Sequence, residues 1–315
     1  MKAIQINNKA PNLVNLPEPT GHGVKVNIRA ASICSSDLHL MHSGWAENRV
    51  LGHEFVGHTE NGTAVAIEPI ISCGSCLNCD DGFHNHCSNQ AKLLGVGLDG
   101  GMAESIIVPA NTLVPIPTGL AIENASLIEP LAVALHGLNR ANISSKEKIL
   151  VIGAGAIGLM TTIALHARGL KCDIISRYEH QQQVANQFNA SHRVSDGYTL
   201  VIDAVGSTET VRQACQLLQP MGRILMLGSF WNGAMLDLQF SAKELSLIGA
   251  ATYRCNSSQR DFVEAANILS NNSSIADLMI THRFPLEGYN EAFNMANDRS
   301  LGAIKVVFQI PHINA

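Results

Sequence analysis

The sequence predicts an α/β protein built from two domains, one of them a doubly wound parallel sheet. Three observations carry that reading. The chain has 315 residues, more than one typical domain and enough for two. A short apolar strand at Ile149–Ile152 runs into the turn Gly153-Ala154-Gly155-Ala156-Ile157-Gly158, and a helical pattern then continues to about Arg168. Further apolar runs at 200–205, 223–227 and 245–250 alternate with helical segments, the rhythm of parallel strands joined by crossovers.

The glycine turn is the most informative element of the second half. Gly153 permits a tight turn, Gly155 lets the backbone approach a pyrophosphate, and Gly158 lets helix and strand pack closely. The helix N-terminus at Ala156 and Ile157 favours phosphate charge. A bare GxGxxG is weak evidence; its strand–turn–helix setting points to a dinucleotide.

Composition excludes several partners. Apolar residues make up 46% of the chain and charged residues 15%, so a sizeable core can be buried. The net charge is −5 and no Lys/Arg run stands out, which argues against nucleic acid and anionic membranes. The stretch MKAIQINNKAPNLVNLPEP has no apolar signal-peptide core, and no segment approaches the roughly 20 apolar residues of a membrane span. The chain therefore reads as cytoplasmic, where thiols stay reduced and clustered cysteines signal metal instead of disulfides.

Four of the eight cysteines lie in ISCGSCLNCDDGFHNHC. Cys73, Cys76 and Cys79 stand three apart, and Cys87 follows eight later. Two CxxC steps turn three thiolates inward, and the loop at 80–86 brings back the fourth. That is a closed four-thiolate shell, the preferred environment of structural zinc. Surface thiols without a ligand, or an iron–sulfur cluster, are the alternatives. His84 and His86 inside the loop are expected in solvent. A full shell leaves no open position, so a zinc held there does no chemistry.

A sparser constellation lies elsewhere. Cys34 and His53 are separated by an irregular, Gly-containing segment, and Glu54 follows His53 directly. Glu129 stands just before Pro130, near the start of an apolar helix. Cys, His and one carboxylate with a position left open form the catalytic zinc pattern. A buried cysteine, a core histidine and a capping glutamate would explain the same residues.

Taken together, these stretches resemble the zinc-containing medium-chain dehydrogenases, the alcohol and polyol dehydrogenase superfamily. The matching motifs are CSSDLH at 34–39, GHE at 52–54, the four cysteines at 73–87, DGGMAE at 99–104, IEPL at 128–131 and GAGAIG at 153–158. They occur in family order over nearly the whole chain. Glutamate at 129, in place of a cysteine, resembles the sorbitol and threonine dehydrogenase branch.

The resemblance implies a GroES-like, irregular β-rich catalytic domain at 1–130 and 252–315, and a Rossmann nucleotide domain at 131–251. It implies hydride transfer between an alcohol or polyol and NAD(P), with two zincs per chain. Cys34 and His53 match the ligands of the catalytic zinc, Glu129 matches the third position, and Glu54 matches a residue that ligates in some relatives and stands behind the ligands in others. Asp37 matches the carboxylate that orients the His ligand; Ser36 matches the acceptor of the alcohol proton, and His39 the next step towards water. A turn-capping Asp37 and a surface His39 are the plain alternatives. A small-molecule substrate and a homodimer or homotetramer, paired through an edge strand around LSLIGA, complete the implied picture. A non-catalytic NADPH-binding member with a degenerate metal site is the alternative, and the presence of Cys34, His53 and Glu129 together favours the enzyme. A zinc-ribbon nucleic-acid binder would need basic residues at 73–87, a segment with Asp80 and Asp81 and neither Lys nor Arg.

The end of the second strand of the nucleotide domain bears on cofactor choice. A carboxylate there, about 20 residues past the glycines, would hold the ribose hydroxyl of NAD. Ser176 or Arg177 takes that place here and suits a 2′-phosphate, so NADP is favoured over NAD. Glu179 on the ribose is the alternative, and Asp173 comes too early. Val205 and Gly228, after later strands, complete the implied cofactor contacts. The chain departs from the family at 56–66, where a hairpin is trimmed, and at Ser35, where glycine is common. Leu40, Trp45, Leu98 and Tyr253 are candidates for the pocket or ordinary core, and Lys305 either approaches the cofactor or is a surface lysine.

Overall fold

The computed structural model describes residues 1–255 and 260–311. The chain forms two compact units, Met1–Glu129 with Arg254–Ala315, and Pro130–Tyr253.

The unit Pro130–Tyr253 is built on five parallel strands in the order Asp173–Ile175, Ile149–Ile152, Tyr198–Asp203, Leu218–Met226, Ser246–Gly249. Ile149–Ile152 is buried at every position, which is why it reads as an unbroken apolar run and not as an alternation. The strands on its two sides are the second and third of the unit, so the chain reverses direction across the sheet at this strand. Such a reversal opens a crevice at the carboxyl ends of the strands. A sixth strand is reduced to one bridge, Asp173 with Ser191, where Ile174 N donates to Ser191 O at 2.8 Å.

Two glycines of the first turn, Gly153 and Gly158, are required by conformation and packing. Gly153 has φ +97°, a conformation costly for any residue with a Cβ. A Cβ on Gly158 would lie 1.8 Å from the Gly153 carbonyl oxygen, so the helix Ala156–Ala167 could not sit against its strand. The strand expected at 223–227 begins earlier, at Leu218. Its first turn of sequence, Gln219-Pro220-Met221, is exposed and carries a proline, and so hides the strand from a pattern reading.

The other unit carries a seven-stranded sheet. Its order is Ile280–Phe284, Lys305–Gln309, Val24–Ile33, Glu54–Thr59, Ala64–Ile67, Leu113–Pro115, with Ser105–Val108 also paired to Val24–Ile33. The core beneath it includes Ile28, Phe55, Met102 and Phe308. Val306 pairs with Ile33 and Ser32 with Glu54, so three adjacent strands bring position 305, the end of the central strand and position 54 side by side. The trimmed hairpin at 56–66 is closed by Thr59 and Thr63, both hydrogen-bonded to the Asn61 side chain.

Candidate active site

Cys34 stands where the strand Val24–Ile33 gives way to the helix Ser35–Ser43, as the residue capping that helix. Asp37 is fully buried and has two duties. One carboxylate oxygen accepts from Cys34 N at 2.8 Å; the other lies 3.4 Å from His53 Nδ1. It thus caps the turn through one oxygen and places the other beside the imidazole. With Nδ1 facing Asp37, His53 presents Nε2 to the site, 3.4 Å from Ser36 Oγ. Burial opposes charge on His53, but the neighbouring Asp37 and Cys34 outweigh it and hold the imidazole well above its ordinary range. His39, one turn further along the helix, is exposed.

His53 reaches this place because Gly52 before it takes φ +98°. A Cβ on Gly52 would meet Met102 N at 2.9 Å, and Gly101 N donates to Gly52 O at 2.9 Å. Asp99 closes the contact by accepting from Val50 N at 3.0 Å. The DGGMAE motif is therefore the seat on which the GHE segment rests.

Two carboxylates border the site, and they differ. A Glu54 oxygen, Cys34 Sγ and a His53 ring nitrogen all lie within 4.8 Å of one another. Yet Glu54 is fully buried with both oxygens 2.6 Å from Lys305 Nζ. Lys305 is accordingly no surface lysine; it is as buried as the core around it. Glu129, in the first turn of the helix Ile128–Ala141, lies outside that 4.8 Å group and is also buried. Burial is the main cause that pushes its carboxyl up to about 8, with Glu54 and Asp37 adding to it against the pull of His53 and Lys305. The sequence offered one signal for Lys305: a lone cation inside the apolar run AIKVVF.

The second cysteine group is of another kind. The thiols of Cys73, Cys76, Cys79 and Cys87 also lie within 4.8 Å of one another, none of them in a disulfide. Sulfur–sulfur distances are 3.4 Å for Cys76–Cys79 and 3.9 Å for Cys73–Cys79. Zinc–sulfur bonds of about 2.3 Å in a tetrahedron require about 3.8 Å between sulfurs. Backbone amides point at the thiols: Cys73 N at Cys87 and Ser88 N at Cys76, each at 3.4 Å. The Ser75 amide and the Cys87 thiol pull the Cys73 thiol down to about 6. His84 and His86 form a short turn beside the cluster and are not part of it.

In the unit Pro130–Tyr253, the residues expected at a dinucleotide converge on one end of the sheet. Gly153, Gly155, Ala156, Ile157 and Gly158 follow the strand Ile149–Ile152; Ser176 and Arg177 follow Asp173–Ile175. Val205 follows Tyr198–Asp203, and Gly228 follows Leu218–Met226. Asp203 builds the third of these turns, accepting from Val205 N at 2.9 Å, Gly206 N at 3.0 Å and Thr210 Oγ1 at 2.9 Å. Gly228 packs on that turn so closely that a Cβ would lie 2.4 Å from Gly206 N. Arg177 is exposed, and the Ser176 hydroxyl is buried with no hydrogen-bond partner among the described residues. Asp173, at the opposite end of its strand, accepts from Tyr198 Oη at 2.6 Å. Of the pocket candidates, Leu40 and Tyr253 are buried, Leu98 packs on the core, and Trp45 is 80% exposed.

Comparison with known proteins bears on both units. Residues 20–118 match the Alcohol dehydrogenase GroES-like domain, and residues 122–310 match the Glucose dehydrogenase C-terminus. The L-galactonate-5-dehydrogenase of Escherichia coli is 30% identical, over 91% of this chain and 92% of its own. The chain belongs to the zinc-type medium-chain alcohol and polyol dehydrogenases. Two solved relatives carry nicotinamide cofactors. An alcohol dehydrogenase from Escherichia coli in complex with NADH has TM-score 0.84 and 27% identity, covering 98% of this chain and 99% of its own. A zinc-binding dehydrogenase from Sinorhizobium meliloti bound to NADP has TM-score 0.83 and 26% identity, covering 98% of each chain.

The residues present fit what this dehydrogenase family uses. Cys34 and His53 offer one thiolate and one imidazole nitrogen with its partner nitrogen already backed by a carboxylate, a donor pair suited to zinc. The four clustered thiols suit a second zinc by donor type and by spacing. The glycine turn Gly153–Gly158 suits a dinucleotide pyrophosphate.

Proposed function

We propose that this dehydrogenase oxidises a secondary alcohol of a polyol or sugar acid to the ketone, or runs the reverse reduction, with NADP as preferred cofactor. Its working centre is Cys34, His53 and a carboxylate, and the unit Pro130–Tyr253 is its nucleotide domain. The observation that carries the reading is the Asp37–His53–Cys34 arrangement: a buried imidazole oriented by a carboxylate beside a single thiol. Unlike the four-thiol cluster, it supplies too few protein donors to close a tetrahedron around a metal without a carboxylate and a further ligand.

Zinc held by Cys34 and His53 would supply Lewis acidity towards an alcohol oxygen, and a nicotinamide bound by the glycine turn would supply the hydride acceptor. The chain's own residues handle the proton. Ser36 Oγ, beside His53 Nε2, accepts the alcohol proton, and His39 on the exposed side of the same helix hands it to water. Partial burial, with the charges of His42 and Arg299, lowers the His39 pKa. The four cysteines hold a second, structural zinc.

Ser176 and Arg177 at the end of Asp173–Ile175 support NADP, because a hydroxyl and a guanidinium can donate to a phosphate and neither can accept from the ribose hydroxyls as a carboxylate does. The L-galactonate-5-dehydrogenase relative supports a sugar acid as substrate class. Ser246–Gly249 is an edge strand with an exposed face that includes Leu247, which supports pairing of two copies there. No helix among the described residues is long and apolar enough to cross a membrane, and the reduced cysteines support a cytoplasmic location. The reading is tested by steady-state rates with sugar acids, polyols and simple alcohols, each with NADP and NAD. Turnover of a polyol or sugar acid with kcat/KM higher for NADP supports it; no turnover of any alcohol or ketone by zinc-replete protein contradicts it.

A further inference from the structure

The helix Ser35–Ser43 carries an exposed polar stripe. Ser35, His39 and His42 stand four and three positions apart, the spacing of one helical face, and all three are exposed. Asp37 and Leu40, between them in sequence, are buried. An arginine from far along the chain is attached to this stripe. Arg299 Nη2 donates to Ser35 Oγ at 2.8 Å, across 264 positions. The glycine expected from the family resemblance at position 35 would have no hydroxyl to hold that guanidinium.

The backbone that presents Arg299 is held in place. The helix Tyr289–Asn297 packs on Ser35–Ser43 and leads into the short turn Arg299–Leu301. Gly302 N closes the turn by donating to Arg299 O at 3.2 Å. The nearest acid in sequence is already committed: Asp298 Oδ1 accepts from Ser300 N at 3.0 Å and from Ser300 Oγ at 2.5 Å. Arg299 itself makes no ion pair among the described residues. A guanidinium has five N–H groups, and Ser35 takes one of them. The charges of His42 and Arg299 both act on His39, so the three side chains are close neighbours. In a chain of net charge −5 they form a patch of donors with no carboxylate set against Arg299. Like charges gathered this way repel, and an anion between them relieves the repulsion.

We propose that Arg299, with Ser35, His39 and His42, forms a binding site for an oxyanion of a reactant, either the carboxylate of a sugar acid or a phosphate of the cofactor. Arg299 is its specificity-determining residue, because the planar guanidinium matches both groups with paired hydrogen bonds. The proposal rests on the reading that the reaction takes place at Cys34 and His53, where this helix begins.

The test follows the imidazole resonances of His39 and His42 by NMR in zinc-replete, full-length protein, assigned through His39→Gln and His42→Gln. Sodium phosphate and sodium acetate are titrated first, as free forms of the two oxyanions. Both resonances are expected to shift saturably. Arg299→Gln should weaken that binding about tenfold, Arg299→Lys less, and Arg212→Gln, which removes an exposed arginine elsewhere, not at all. Resonances that ignore both anions would overturn the proposal, as would equal affinities in the parent and Arg299→Gln. NADPH, L-galactonate and the neutral polyol galactitol then tell the sources apart. A shift with NADPH that Arg299→Gln weakens assigns the site to phosphate. A shift with L-galactonate but not galactitol, weakened in the same way, assigns it to carboxylate. A patch that takes the free anions but responds to neither reactant would overturn its role in the reaction. These readouts do not require turnover, so a zinc-replete protein inactive with every alcohol would remove the reading of the reaction centre and leave the anion site to be judged by itself.

Discussion

The two cysteine centres of this chain show how the same donor atom serves opposite ends. In the lobe at 73–87 four sulfurs come from one short segment, two of them exposed or half-buried, and backbone amides of the same loop point at them. Around Cys34 a single sulfur meets groups from a distant part of the sequence, His53 and Glu54 on its lysine, with Glu129 outside that group but electrostatically coupled to His53 and Glu54. The first centre gathers four like donors, enough to fill a tetrahedron. The second is incomplete, buried and heavily charged. Its neighbouring strands fix Glu54 and Lys305 in place, and it keeps a position for something else to bind. On the proposed reading, local, like donors make a clip, and distant, unlike donors make a site that can do chemistry.

Substitutions that treat the two centres differently sharpen or break this contrast. The largest effect is expected from Cys34→Ala. Turnover should fall by at least about a thousandfold while circular dichroism and melting temperature stay near those of the parent, because the removed sulfur serves the metal and not the core. Cys76→Ala should act the other way round. It should release the lobe metal and lower the melting temperature by several degrees, about 2 kcal/mol or more, as structural zinc contributes folding energy directly. Differential scanning calorimetry with metal analysis checks both, and equal melting temperatures for the two variants would break the contrast.

Smaller effects refine it. Asp37→Asn keeps an oxygen for the Cys34 amide but removes the charge behind His53 Nδ1. Metal affinity at the Cys34 site should drop about 10- to 100-fold with the lobe metal unaffected, as measured by chelator competition. An unchanged affinity would show that Asp37 serves only as the turn cap. The smallest effect concerns the nucleotide unit. Arg177→Ala should raise the dissociation constant of NADPH about tenfold and leave that of NADH unchanged, as followed by fluorescence titration. Equal effects on both would remove Arg177 from phosphate recognition.

Much of this was legible in the sequence because the decisive residues are local. The glycine turn could be read since Gly153 and Gly158 must be glycine for the strand and helix to touch at all. The four cysteines could be read from spacing alone. The strand Ile149–Ile152 announced itself by being buried on both faces. What lay beyond reading was long-range and polar. Nothing in AIKVVF tells that Lys305 meets Glu54, a partner 251 positions away. A pattern of residues also does not tell that one Asp37 oxygen caps the turn at Cys34 while the other lies 3.4 Å from His53 Nδ1. The role of DGGMAE as a seat for the GHE segment depends on an approach of backbone to backbone that no one-dimensional pattern records.

The central claim is that one centre clips and the other catalyses, each with its own metal. The most direct measurement is zinc per chain in freshly purified parent, Cys34→Ala and Cys76→Ala proteins, each paired with activity. The account predicts about two zincs in the active parent, about one in an inactive but folded Cys34→Ala protein, and loss of the lobe zinc in Cys76→Ala. A parent with about one zinc, unchanged by Cys34→Ala and lost only when the cysteines at 73–87 are altered, would contradict it.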